Sequence, residues 1–250
     1  MTRHTRPAGG LRPLHVVFML VFLGGVVLAQ HPSVVLGMLG ADTATESAPT
    51  PKQNEKTVAS VTLARAQLED LAIKGRAPKT GYDRAQFGDG WADLDGDGCH
   101  TRDEILRRDL VEIEFEPGSD CVVDSGQLAD SYTGTRIDFT RGQDTSTAVQ
   151  IDHVVALSDA WQKGAQQWTA AKRERFANDP ANLIAVDGPT NAAKSDGDAA
   201  TWLPPHKAFR CEYVATQVHV KADYGLWVTP AEHDATKRVL NACHALAPTR

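Results

Sequence analysis

The sequence lacks three features that would each point directly to a class of function. It has no excess of basic residues, since the formal net charge is −6 and residues 41–149 contain 12 Lys and Arg against 21 Asp and Glu. It has no G-x-S-x-G motif for a nucleophilic serine, and its cysteines form no C-x-x-C pair. These absences argue against a basic nucleic-acid coat protein, a serine or thiol hydrolase and a zinc ribbon.

The N-terminal 41 residues predict either a signal peptide or a membrane anchor. Three arginines precede an apolar run of 14 residues, Val16 to Ala29, which has the length of a secretory h-region. A membrane-spanning helix needs about 20 apolar residues, so an anchor would have to continue through Gln30, His31 and Pro32. Both alternatives place the rest of the chain outside the cytosol.

Residues 42–57 are rich in Thr, Ala, Ser and Pro and predict a flexible linker, and residues 58–250 predict a single domain. Capping boxes at Thr101–Glu104 and Thr229–Glu232 indicate two helix starts. The alternation of Val111, Ile113 and Phe115 with glutamates predicts a half-buried strand. Hydrophobic spacing predicts further helices over 58–74, 157–167, 170–177, 190–196, 206–223 and 230–243, and strands over 121–123, 136–139, 148–155 and 182–186.

The four cysteines predict disulfide bonds. An even number in an exported chain favours disulfides over thiols or metal thiolates. Of the three connectivities that four cysteines allow, we prefer the sequence-local pairs Cys99–Cys121 and Cys211–Cys243. Four buried free thiols are the alternative.

The segment 150–198 contains the residues with the clearest catalytic chemistry. Asp152 and His153 end an apolar strand, Asn182 opens a second short strand, and a polar helix carries Asn191 and Lys194 three residues apart on one face. A carboxylate and an amide oxygen are ligands for a hard divalent cation, and a neutral imidazole accepts a proton from water near neutral pH. This combination predicts metal-assisted phosphodiester hydrolysis, with Asp152 and Asn191 as ligands and His153 as general base.

At these positions the sequence resembles the HNH (ββα-metal) nucleases. It is most similar to exported actinobacterial HNH endonuclease family proteins, which are related to the C-terminal nuclease domain of GmrSD-type restriction enzymes. The resemblance runs from about Tyr82 to Cys243, and its other motifs are Tyr82-Asp83-Arg84, Trp91, Gly98-Cys99, Asp138-Phe139 and Trp202-Leu203-Pro204-Pro205.

The resemblance implies an α+β fold and a role for each site residue. A ββα-metal core over about 148–198 would lie in a mostly helical C-terminal half, beside a small β-rich, disulfide-bearing N-terminal half. His153 would be the general base and Asp152 and Asn191 the metal ligands, while Asn182 would brace the loop between the two core strands and Lys194 would contact phosphate or stabilise the transition state. Since Asn191 stands where many HNH members have a histidine, Mg²⁺ or Mn²⁺ is favoured over Zn²⁺.

A second metal site is suggested by the segment 93–104. Asp93, Asp95, Asp97 and Glu104 fit the D-x-D-x-D-G-x₅-E pattern of calcium loops, with Gly98 at the sharp turn. The capping box at Thr101 accounts for Glu104 without an ion, so a structural Ca²⁺ and an ion-free turn both stay open.

The sequence thus predicts a secreted or membrane-tethered endonuclease that cuts nucleic acid with low sequence specificity. DNA is favoured as the substrate, and RNA stays open. No stable protein partner is implied, and the membrane is contacted only if the N-terminal segment is not cleaved. The alternatives are a non-catalytic, calcium-stabilised secreted module with a vestigial HNH core, and a secreted nuclease toxin. A cationic rim for the substrate is predicted from Arg173, Arg175, Lys194, Lys207 and Arg210.

Overall fold

The computed structural model describes residues 51–243, which form seven helices and five strands. The predicted signal or anchor over 1–41 lies outside the described residues. The elements are α1 (Pro51–Asp70), α2 (Thr101–Asp109), β1 (Leu110–Phe115), β2 (Val123–Ala129), β3 (Arg136–Thr140), β4 (Val149–His153), α3 (Leu157–Gln162), α4 (Ala170–Ala177), β5 (Leu183–Asp187), α5 (Gly188–Lys194), α6 (Arg210–Tyr224) and α7 (Pro230–Ala242). The mixture of helices and strands confirms the α+β class. Within the described range, no helix is both long enough and apolar enough to cross a membrane.

Helix α1 buries one apolar face against α6 and α7. Val61, Ala64 and Leu68 follow the three- and four-residue spacing of a helix face, and all three are buried in the core that α6 and α7 also line. The helix begins at Pro51, so residues 51–57 of the predicted linker are helical.

Strands β1, β2 and β3 form an antiparallel sheet in that order. The predicted alternation of β1 is wrong in detail, because Val111 and Phe115 are 53% and 40% exposed while Leu110 is buried. The pairing of β1 with β2 slips between Val111 and Glu114, and Glu112 has a φ of 52°. A bulge shifts the two-residue periodicity of a strand, so alternation no longer reports which face is buried.

Strands β4 and β5 form a separate antiparallel pair, and α5 follows β5 directly. Asp152 pairs with Ile184 and His153 with Leu183. Gly188 begins α5 in close contact with the loop before β4, since an added Cβ would lie 2.0 Å from the Thr147 carbonyl oxygen. Glycine is required there, and this close approach holds α5 against the start of β4.

Both predicted disulfides are present. Cys99–Cys121 joins the segment before α2 to the segment before β2, and Cys211–Cys243 joins the first turn of α6 to the end of α7. The bridges span 22 and 32 residues, and closing loops of this size stabilises a fold by about 3–4 kcal/mol in the chain-entropy account.

The two predicted capping boxes have different outcomes. At α7 the Thr229 hydroxyl accepts from the Glu232 backbone N–H, and the Glu232 carboxylate accepts from the Thr229 N–H, which confirms that box. At α2 the prediction is wrong, because His100 is the N-cap and Thr101 is already the first helical residue. The Thr101 hydroxyl instead donates to the Ala92 carbonyl at 2.7 Å, so it fastens the acidic loop to the helix start.

A buried ionic cluster ties together the helices behind the β4–β5 pair. Lys163 contacts Asp159, Asp198 and Glu232 at 2.6–2.8 Å, and Lys221 contacts Asp159 and Glu232. The two lysines hold the pKa of Asp159 at about 2 despite its burial. Because buried charges need partners, this cluster constrains α3, α6 and α7 to one arrangement.

Candidate active site

A cavity of about 400 Å³ lies where β4 ends, next to α5 and residues 79–84. Its lining includes Asp152, His153 and Asn191, which are the three residues predicted to hold the metal and the reacting water. The structure thus brings together a carboxylate, an imidazole and an amide from two elements that are about 40 residues apart in sequence. The other walls are formed by Lys79, Tyr82, Arg84, Gln150, Ile151, Ala156, Leu157, Ser158, Ser195 and Asp196.

The His153 imidazole is buried and held on two sides. Its Nε2 lies 2.8 Å from the Ala177 carbonyl oxygen, to which only a protonated nitrogen can donate. The Trp91 indole stacks on its ring at a centroid distance of 5.8 Å and an interplanar angle of 8°. Burial lowers the pKa of His153 to about 3. The side chain is therefore a neutral imidazole with its proton on Nε2 and a lone pair on Nδ1.

The Asp152 carboxylate is buried and takes part in a polar cluster. Lys194 Nζ lies 3.0 Å from Oδ1 and 2.9 Å from Oδ2, and the Tyr132 hydroxyl donates to Oδ2 at 2.5 Å. Burial raises the pKa of Asp152, while the Lys194 charge opposes that shift. The orientation of the carboxylate is thus fixed by a cation and a phenol.

Lys194 does not occupy the position that the sequence predicts for it. Its ammonium group donates to Asp152 Oδ1 at 3.0 Å and to the His153 carbonyl oxygen at 2.8 Å, and it forms an ion pair with Asp152 Oδ2 at 2.9 Å. The side chain is buried and is not part of the cavity wall. Tertiary packing thus uses the Lys194 charge to compensate Asp152, and its role toward phosphate or the transition state stays a prediction.

Asn191 lies on the cavity side of α5 and is oriented by Gln150. The Asn191 Nδ2 donates to Gln150 Oε1 at 3.0 Å. Among residues 51–243, no donor is placed on the Asn191 Oδ1, which leaves that oxygen available to a ligand in the cavity. Gln150 and Asp152 share one face of β4 because side chains alternate along a strand. That spacing is a sequence signal which could have identified Gln150.

Asn182 is fully buried and does not line the cavity. Its Oδ1 accepts from the Val155 backbone N–H at 2.8 Å, and its Nδ2 donates to the Val155 carbonyl at 3.2 Å. Its own carbonyl accepts from the Val154 N–H at 2.8 Å. Asn182 thus fastens the backbone that follows His153 to the start of β5.

The predicted cationic rim does not form at this cavity. None of its five members, Arg173, Arg175, Lys194, Lys207 and Arg210, lines the cavity wall. Arg173, for example, donates to the Gln86 and Trp168 carbonyls. The cations that do line the wall are Lys79 and Arg84, and Arg84 belongs to the Tyr82-Asp83-Arg84 motif of the resemblance, to which the sequence assigned no role. Charge counts along helices could not identify them, since their position depends on how residues 79–84 fold back over β4.

Hydrogen bonds from backbone N–H groups to aspartate side chains hold the acidic loop at 93–97. Asp93 accepts from the N–H groups of Gly96 at 2.7 Å and Gly98 at 3.0 Å, and these bonds lower the pKa of Asp93. Asp93, Asp95 and Asp97 are exposed and offer carboxylate oxygens within 4.8 Å of one another. Burial and the three neighbouring carboxylates raise the pKa of Glu104. Three of the four predicted calcium ligands thus lie close together, Glu104 is not part of that group, and calcium binding stays a prediction.

Comparison with known proteins places the chain in a family. Residues 100–238 match the family described as GmrSD restriction endonucleases, C-terminal domain. The chain is also 38% identical over 197 residues to an uncharacterized secreted protein of Arthroderma benhamiae, with 78% of this chain and 92% of that protein covered. No solved structure matches the chain. The resemblance to actinobacterial exported proteins stays a prediction. The chain belongs to the family of GmrSD restriction endonuclease C-terminal domains, an HNH-type nuclease family.

Proposed function

We propose that this protein is a metal-dependent endonuclease that hydrolyses phosphodiester bonds, with His153 as general base. The observation that carries the proposal is the shared cavity of Asp152, His153 and Asn191. Family membership supports a nuclease, and the antiparallel β4–β5 pair followed by α5 supports a ββα-metal core over about 148–198. In this proposal His153 is the catalytic residue and Asp152 and Asn191 are the metal ligands. Asn182 and Lys194, which the sequence placed among the catalytic residues, act as positioning residues.

His153 is suited to take a proton from water. The donation from Nε2 to the Ala177 carbonyl selects the tautomer in which Nδ1 carries the lone pair. The lowered pKa of His153, about 3, keeps the imidazole neutral at physiological pH. Stacking on Trp91 restricts rotation of the ring, so Nδ1 keeps one direction relative to the cavity.

The donor set fits a hard divalent cation. Asp152 supplies a carboxylate and Asn191 an amide oxygen with no competing donor among the described residues. An all-oxygen set favours Mg²⁺ or Mn²⁺ over Zn²⁺. When bound, the cation supplies charge stabilisation for the scissile phosphate and the leaving oxygen.

Three further residues hold this arrangement in place. Lys194 and Tyr132 fix the orientation of the Asp152 carboxylate through their hydrogen bonds to its oxygens. Asn182 braces the backbone after His153 through its bonds to Val155. Fixed ligand and base positions matter because small displacements of a catalytic group cost large factors in rate.

The proposed substrate is DNA outside the cytosol, cut with low sequence specificity. The acidic composition of residues 41–149 disfavours tight, extended duplex binding, which needs many basic contacts. The relative from Arthroderma benhamiae is described as a secreted protein, which supports an extracellular location. The predicted signal or anchor over 1–41 is consistent with export.

The test is cleavage of supercoiled plasmid and of RNA by the full-length chain with Mg²⁺, Mn²⁺, Ni²⁺ or Zn²⁺, with EDTA as control. We expect cleavage that EDTA abolishes, and a rate lowered about 10²-fold or more in His153→Ala. His233→Ala is the matched control, because His233 lies on α7 outside the cavity. No cleavage with any cation would refute the nuclease proposal, and wild-type rates in His153→Ala would remove His153 from the mechanism.

A further inference from the structure

Arg84 lies in the walls of two cavities that share several residues. It lines the cavity of Asp152 and Asn191, and it also lines a neighbouring cavity of about 390 Å³ whose wall includes Trp91. His153 lines both cavities as well. A strand of nucleic acid passing from one cavity to the other would therefore pass beside the Arg84 side chain.

Arg84 differs from the other cations near the site because it has no acidic partner among the described residues. The donors of Lys194 are used by Asp152 and the His153 carbonyl. Lys79 pairs with Asp196 at 3.2 Å. Arg76 pairs with Asp159 and Asp198 at 3.0 and 2.7 Å. Asp89 lines the second cavity but forms no ion pair with Arg84 within residues 51–243. Arg84 is thus the cation at the cavity whose charge is not compensated.

The backbone under Arg84 is fixed. Residues Arg84–Phe87 form a 3-10 turn, and the Asp83 carboxylate caps it by accepting from the Ala85 N–H. Phe87 is buried against the Trp161 and Phe176 rings, and the Arg173 guanidinium donates to the Gln86 carbonyl at 2.7 Å. The exposed Arg84 side chain thus projects from an anchored turn, so its backbone has little entropy to lose on binding.

The two acidic side chains that line the first cavity each pair with a lysine and not with Arg84. The Asp152 charge is compensated by Lys194, and the Asp196 charge by Lys79. A phosphodiester entering this cavity adds one negative charge, and a guanidinium binds phosphate oxygens through two parallel hydrogen bonds. We propose that Arg84 is the residue that binds the scissile phosphate, the role that the sequence assigned to Lys194. This inference rests on the proposed nuclease function.

The inference is tested by the kinetics of Arg84→Ala and Arg84→Lys in the full-length chain. We expect Arg84→Ala to lower kcat for plasmid cleavage by about 10²- to 10³-fold, as for the loss of one donor to a transition-state oxyanion. Arg84→Lys restores part of that loss, since it keeps the charge but not the two-point geometry. Millimolar guanidinium rescues Arg84→Ala but not His153→Ala. Arg238→Ala, an exposed cation on α7, is the control and keeps the wild-type rate.

A binding measurement separates this inference from the nuclease proposal. Binding of a nucleic-acid fragment is measured as a function of salt concentration for His153→Ala and for the double variant with Arg84→Ala. The added change is expected to reduce the slope of the logarithm of the binding constant against the logarithm of the salt concentration by about 0.7–0.9, because one phosphate contact contributes that amount. An unchanged slope together with wild-type cleavage by Arg84→Ala would overturn the role of Arg84 and leave the nuclease proposal intact. Failure of the wild type to cleave would instead refute the nuclease proposal.

Discussion

Replacement of Lys194 by methionine tests how the Asp152 carboxylate is held. Methionine has a similar length and no charge, so the change leaves Asp152 buried with Tyr132 as its remaining side-chain donor. Removing one partner of a buried ion pair costs about 3–5 kcal/mol because the other charge is left uncompensated. We expect a loss of this size in the free energy of unfolding near neutral pH, together with loss of cleavage.

The loss depends on pH in a direction that the structure predicts. Burial raises the pKa of Asp152 in the folded state, and Lys194 opposes that rise. Without Lys194 the pKa of the folded carboxylate rises further above its unfolded value, so the variant stabilises the protonated form and loses stability as pH increases. The difference from wild type should therefore be larger at about pH 8 than at about pH 5.

Urea unfolding followed by circular dichroism at both pH values measures the effect. Lys194→Met combined with Asp152→Asn should recover most of the stability, because both charges are then absent. Lys237→Met is the matched control, since Lys237 pairs with Glu69 at 2.8 Å on the surface, where such pairs contribute about 0–1 kcal/mol. A loss below about 1 kcal/mol in Lys194→Met, or an equal loss at both pH values without recovery in the double variant, would refute the reasoning.

Two further predictions concern protonation and calcium. Burial lowers the pKa of His153 to about 3, so the unprotonated imidazole persists on acidification. The acid limb of log kcat/KM plotted against pH should therefore lie below about pH 6. An acid limb at the usual histidine value of about 6.5 would contradict a buried neutral base. If the acidic loop binds calcium, millimolar Ca²⁺ should raise the melting temperature of the wild type but not of Asp95→Ala. The reason is that a ligand which binds only the folded state stabilises that state. An unchanged wild-type melting temperature would exclude a structural calcium.

The local elements were largely predictable from the sequence. Helix α4 spans Ala170–Ala177, as the predicted range did, and β5 and α7 begin within a residue of their predicted starts. The capping box at Thr229 and both disulfide pairs are confirmed. These features depend on periodicity, turn chemistry and short separations along the chain, which a single sequence contains.

The errors arose where distant segments meet. The bulge at Glu112 invalidates the alternation of β1, and the Thr101 hydroxyl bonds to Ala92 instead of capping α2. Neither the bulge nor the hydrogen bond to Ala92 can be predicted from the spacing of residues along the sequence. The same holds for Tyr132, which donates to Asp152 from a loop 20 residues earlier in the chain.

The candidate site also has features that the sequence predicts and features that only the tertiary structure decides. The order Asp152, His153, Asn182, Asn191 and Lys194 was enough to predict which kinds of side chain would meet, because strand and helix periods place them near one another. The tertiary structure decided how these groups are paired. Lys194 is buried against Asp152, and His153 donates its Nε2 proton to the Ala177 carbonyl. Arg84 remains as the cation at the cavity without an acidic partner among the described residues. Which ionic group is desolvated depends on the packing of segments far apart in sequence, and only the folded chain contains that information.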